Sequence, residues 1–233
     1  MTVPFLPATD IARFAPLPTE QKRRALEGFR LGHPPYSYDH VRASFGDLLS
    51  LETPLFGSLG PIPFEHIANV IAQRCTRGQS EIDANLAVAA ALYQLRWSGR
   101  KQPFGAMPTS AGQKLEYWTP AVLSVEDRAV VPFFNPRRGG LPFEAERFIF
   151  SMMHEQIRVP NPDYADVALC ICNFSTPNKG ARVARPKYDT SVPLYSFKEL
   201  QAMVAETYAI WTEVCAGRVE ETRRRRGSGG GFL

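Results

Sequence analysis

The stretch Ala121-Val-Leu-Ser-Val-Glu-Asp-Arg-Ala-Val-Val-Pro-Phe-Phe134 decides the fold. Two runs rich in valine and aromatic residues, 121–125 and 129–134, flank Glu126-Asp127-Arg128, so the spacing predicts two strands joined by a hairpin turn. Asn135-Pro136-Arg137-Arg138-Gly139-Gly140 ends the second strand with residues that favour turns. Upstream, Lys114 to Trp118 reads as another strand. Downstream, Leu141 to about Ile157 reads as a helix buried on more than one side, with Ala145, Phe148, Ile149 and Met152 along one stripe. Val167 to Phe174 is almost continuously apolar and is therefore expected to be a central strand.

The flanks are helical. Ser80-Glu-Ile-Asp opens a helix that runs to about Trp97, where Ser98-Gly99-Arg100 stops it. Earlier helices are expected over Glu20 to about Arg30, capped by Thr19, over Asp39 to Ser50, and over Pro63 to Cys75. Residues 1–18, with four prolines, read as irregular. Ser196-Phe-Lys-Glu199 is a capping box for a last helix whose apolar face runs from Leu200 through Trp211 to Cys215, with Gly217 as its stop. The fold class is α+β: an N-terminal helical lobe (1–78), a mixed β-sheet flanked by helices and closed by a long C-terminal amphipathic helix (79–217), and a basic, glycine-rich flexible tail (218–233).

The chain has 233 residues, 27 basic against 23 acidic, for a net charge of +4; 44% are hydrophobic and 21% charged. That composition excludes wholesale disorder. No run approaches the ~18 apolar residues of a membrane span, and the first residues lack a signal peptide's basic and apolar regions, so no membrane contact is expected and the setting is expected to be cytoplasmic. Cys170 and Cys172 lie two apart in a strand and offer at most half a zinc site, so reduced, buried thiols are expected. Charge is uneven. Between Arg218 and Arg226 five arginines face two glutamates, which places +3 of the net +4 in nine residues.

Familiar catalytic signatures are absent. His154-Glu155 lacks the second histidine of a zinc-protease helix, because position 158 is arginine. Ser151 and His154 lack a Gly-x-Ser-x-Gly frame, and there is no phosphate-binding glycine loop. The four histidines are not paired at ligand spacing, and no cofactor is expected.

From Ser80 onward the order helix, strand, strand, strand, helix, strand resembles the core of the PD-(D/E)xK nuclease-like fold over about residues 80–175. The resemblance implies a carboxylate on the first helix, met by Glu81, and an acid-x-lysine pair where this sequence has Asn135-Pro136-Arg137. Asparagine lacks the charge that magnesium favours, and arginine does not deprotonate, so Glu81, Asn135 and Arg137 are vestigial catalytic candidates, with magnesium relevant only to an active version. A catalytic role is therefore not favoured; any enzyme of this kind is a metal-dependent nuclease.

Two functions follow. In the first, the protein is nucleic-acid-associated, and Arg137, Arg138, Arg182, Arg185, Lys187, Arg223, Arg224, Arg225 and Arg226 hold phosphate backbone. In the second, it is a non-catalytic interaction or assembly module whose C-terminal amphipathic helix packs on a protein partner.

Overall fold

The computed structural model describes residues 3–32, 37–52, 61–137, 139–177 and 180–228. Its centre is the hairpin at 121–135. Strand β5 (Ala121–Val125) pairs antiparallel with β6 (Arg128–Asn135), and the register Val125↔Arg128 leaves a two-residue turn. Glu126 and Asp127 both take positive φ, 48° and 59°, which is the backbone twist a tight hairpin needs.

Among the described residues six strands make the main sheet. In chain order they are β1 (Leu51–Glu52), β2 (Ser98–Lys101), β5, β6, β7 (Ala168–Ser175) and β8 (Val183–Tyr188), and the spatial order is the same. A separate two-stranded sheet pairs β3 (Met107–Pro108) with β4 (Lys114–Leu115). Strand β6 runs parallel to β7, and the crossover between them is α7 (Phe143–Met153), continued by a π turn at His154–Arg158. The sheet is mixed, and β7 lies inside it as its apolar run predicts.

Helices cover both faces. On one lie α1 (Ala8–Phe14), α2 (Thr19–Gly28), α7 and α8 (Phe197–Ser228), packed over Val131, Leu169 and Ile171. On the other, α3 (Asp39–Ala43), α4 (Phe45–Leu48), α5 (Phe64–Arg74) and α6 (Gln79–Gln94) pack over Val130, Phe134, Cys170 and Cys172. Alternate residues of β6 and β7 thus serve opposite cores, as the two-residue period of a strand requires. The α+β class and the long final helix are as the sequence predicts.

Local departures have physical causes. Residues 8–14 are helical although prolines surround them, because Pro7 precedes the helix, where no N–H is required. Thr19 is not a cap; its hydroxyl donates to Glu206 Oε1 at 2.6 Å. The helix expected over Asp39 to Ser50 breaks at Ser44 into α3 and α4. Ser98-Gly99-Arg100 is strand rather than helix stop. A Cβ on Gly99 would lie 2.2 Å from the Val122 carbonyl oxygen, so glycine is what lets β2 approach β5. Gly217 does not end α8, whose capping box forms as expected, with the Ser196 N–H donating to Glu199 Oε2 at 2.7 Å. A single helical glycine costs only about 1 kcal/mol. Next to it, Arg218 anchors the helix on the carbonyls of Leu26, Glu27 and Phe29. The segment expected to be a flexible basic tail is therefore helical to Ser228, and residues 229–233 lie outside the described set.

Candidate binding cleft at the carboxyl end of β6

A concavity opens where β6 ends. Its volume is about 750 Å³, and its walls come from the start of α1 (Pro7, Ala8, Thr9), from Tyr38, Arg42 and Phe45 around α3 and α4, from Glu116 to Pro120, and from Phe133 to Arg137. Tyr38, Phe45, Trp118, Phe133 and Phe134 contribute aromatic rings to the lining. Phe45 packs on Phe134 with ring centroids 5.0 Å apart, and Tyr117 behind the wall meets Phe133 edge-on at 5.9 Å.

Asn135 sits at the floor, fully buried. Its Nδ2 donates to Asn173 Oδ1 at 2.8 Å, the residue beside it in the parallel register. Asn173 Nδ2 donates to Glu146 at 3.3 Å, and Glu146 accepts from Lys187. Among the described residues Asn135 Oδ1 has no hydrogen-bond partner. A buried acceptor left open costs about 1–3 kcal/mol, and here it lies beside an apolar cleft.

Arg137 is held at the rim by Asp10 of α1, through Nη1 at 2.7 Å and Nη2 at 3.2 Å. Arg182 is buried: it donates to Tyr38 Oη at 3.1 Å and to the Pro136 carbonyl at 2.7 Å. Of the four described cations, Arg182 is buried, Arg137 and Lys187 are partly exposed but ion-paired with Asp10 and Glu146, and Arg185, on β8 with Lys187, is exposed. Arg138 lies outside the described residues. Arg223 is exposed on α8, which also carries Arg224, Arg225 and Arg226 in helix rather than in a loose tail.

Glu81 is not part of this cleft. It is 1% exposed and accepts N–H bonds from Thr76 at 2.9 Å, Arg77 at 3.0 Å and Ser37 at 3.1 Å. These bonds, from Arg77 and Ser37 foremost, hold its carboxyl below the ordinary value. Asn85, one turn on, donates to the Ser37 carbonyl at 2.8 Å. Glu81 is therefore a fixture that ties loops to α6. Of the three vestigial candidates, Asn135 and Arg137 line the cleft and Glu81 does not; Asn135 is uncharged and Arg137 is ion-paired with Asp10.

The apolar face of α8 is also occupied. Leu200, Val204, Tyr208, Trp211 and Val214 are in the core with α1, α2 and α7, so this stripe is not free to receive a partner. Asp10 and Trp118 escaped the sequence reading; Trp118 lines the cleft, and Asp10 reaches Arg137 at its rim across 127 positions.

Tyr38, Phe45, Trp118, Phe133 and Phe134 wall the cleft, and its two described lining cations, Arg42 and Arg137, are ion-paired with Asp39 and Asp10. The chain belongs to the family described as the sliding clamp-binding bacterial toxin SocB, whose pattern it matches over residues 9–221. It is 33% identical over 232 residues to the DNA replication inhibitor toxin SocB of Caulobacter vibrioides (strain NA1000 / CB15N), covering 97% of this chain and 96% of that protein. No solved structure matches it. The expectation of a nuclease-like, phosphate-binding protein is overturned by this membership, and the alternative, a protein-interaction module, is the better reading. Among the described residues no helix is long and apolar enough to cross a membrane.

Proposed function

We propose that this protein binds the bacterial sliding clamp and through that contact inhibits DNA replication, acting in the cytoplasm where the clamp works. One observation carries the reading: the likeness to a replication-inhibiting toxin spans both chains almost end to end. The inhibitory act is then occupancy. A protein seated on the clamp denies that surface to other clamp partners.

The cleft at the end of β6 is the surface assigned to this contact. Its aromatic and apolar walls fit an apolar side chain of the partner. Interfaces of this kind depend weakly on salt, whereas phosphate-driven binding falls steeply with it.

The test is a calorimetric titration of a purified bacterial sliding clamp with the wild type and with Thr9→Trp, which fills the cleft from its α1 wall. Saturable binding by the wild type and roughly tenfold weaker binding by the variant, an effect of about 1.4 kcal/mol, are expected. Absence of wild-type binding contradicts the function. Unchanged binding by a well-folded Thr9→Trp moves the contact away from the cleft and leaves the function standing.

A further inference from the structure

Three segments meet beside the start of α6. His40 comes from α3, Cys75 follows the last residue of α5, and Glu81 stands in the first turn of α6. One imidazole nitrogen, the Cys75 Sγ and one Glu81 carboxylate oxygen all lie within 4.8 Å of one another, and His40 Nε2 is 3.7 Å from Glu81 Oε1. A tetrahedral zinc ion, with bonds of about 2.0–2.3 Å, sets its ligand atoms about 3.3–3.6 Å apart. Rotamer adjustments of about an ångström close the difference.

The surroundings favour a cation. Glu81 is a buried carboxylate, and the backbone N–H groups of Thr76 and Arg77 both point at its Oε2. Its Oε1 accepts from Ser37 and faces His40, where a second acceptor position is available on a carboxylate oxygen. The three backbone bonds fix the carboxylate before any ion arrives, which lowers the cost of ordering the site. Cys75 is a free thiol and half-buried, and the His40 side chain is 24% exposed, so solvent reaches the cluster from one side.

We propose that His40, Cys75 and Glu81 form a zinc(II) site with its fourth position open. Imidazole, thiolate and carboxylate together suit a borderline ion such as zinc; magnesium and calcium call for oxygen donors throughout. Thiolate and carboxylate balance the ion's two positive charges, and binding releases the Cys75 proton to solvent. The ion would staple α3, α5 and α6, the helices over one face of the sheet, and so stabilise the layer that carries Phe45 into the cleft. This site is independent of clamp binding.

The experiment uses the full-length, untagged protein, stripped with a chelator and titrated with zinc(II) by calorimetry and with cobalt(II) by absorption. One ion per chain, a thiolate-to-cobalt charge-transfer band and a higher thermal midpoint with zinc are expected. Cys75→Ser should abolish the band, and Cys75→Ser and His40→Ala should each weaken zinc binding roughly tenfold or more. Cys215→Ser, which alters a thiol on α8, should change nothing. Glu81 is left intact in these variants because its backbone bonds support the fold. No saturable zinc binding by folded wild type, or binding that Cys75→Ser and His40→Ala leave unchanged, would overturn the site.

Discussion

Asp10 and Arg137 stand 127 positions apart in the chain and meet through two hydrogen bonds, 2.7 and 3.2 Å long, at the rim of the cleft. Asp10 is nearly buried, while the Arg137 side chain is 38% exposed. The pair fixes the start of α1 against the end of β6, so it sets the width of the opening. Arg137→Ala strands a shielded carboxylate and should cost about 1–3 kcal/mol of stability by denaturant unfolding. In a double-mutant cycle with Asp10→Ala the coupling should be about 1 kcal/mol, and additive losses would show that the pair does not hold the rim.

A second ion pair predicts an acid response. Lys22 is 1% exposed, and its Nζ lies 2.5 Å from Glu206 Oε2; the Thr19 hydroxyl donates to the same carboxylate. The Lys22 bond, then the Thr19 bond, hold the Glu206 carboxyl below its ordinary value of 4.5. A depressed carboxylate stabilises the fold fully above its unfolded pKa, and that contribution fades as pH falls through the folded one. Thermal midpoints measured from pH ~6 down to ~3 should therefore drop more steeply for wild type than for Glu206→Gln below 4.5. Parallel curves would show that the pair does not contribute.

Trp211 belongs to the core. It is 1% exposed, donates from Nε1 to the Pro4 carbonyl at 2.9 Å, and meets Phe29 edge-on with centroids 5.9 Å apart. Trp211→Ala should cost about 3–5 kcal/mol. A variant of wild-type stability that had lost clamp binding would return the α8 stripe to the role of a partner surface.

Gly99 marks a close approach of β2 to β5. A Cβ there would lie 2.2 Å from the Val122 oxygen and 2.7 Å from the Leu123 Cα, both backbone atoms with little room to yield. Gly99→Ala should cost about 2–4 kcal/mol and speed amide exchange in β2 before it does so in β7. Unaltered exchange in β2 would mean that the strand accommodates the methyl group.

These positions also show what the sequence could and could not convey. The hairpin turn at Glu126-Asp127 and the capping box at Ser196 and Glu199 were legible because they are local: a few adjacent residues carry both the signal and its cause. Strand β2 was not, because Ser98-Gly99-Arg100 has the composition of a stop, and its strand conformation comes from pairing with Val122 and Leu123. Helix α1 was hidden by its flanking prolines. The basic residues were legible as charge but not as paired charge, since Asp10, Tyr38 and Glu146, the partners of Arg137, Arg182 and Lys187, reach them only through tertiary structure. Of the candidate site, the sequence supplied Asn135 and Arg137; Phe45, Trp118 and the α1 residues joined them only in space.

The most direct measurement of the central claim is primer extension by a clamp-dependent bacterial replicative polymerase, with and without the clamp, in the presence of this protein. Clamp-stimulated synthesis should fall as protein is added and recover when excess clamp is supplied, while the basal synthesis made without clamp is unaffected. Inhibition that persists at excess clamp, or that appears equally without any clamp, would contradict the account.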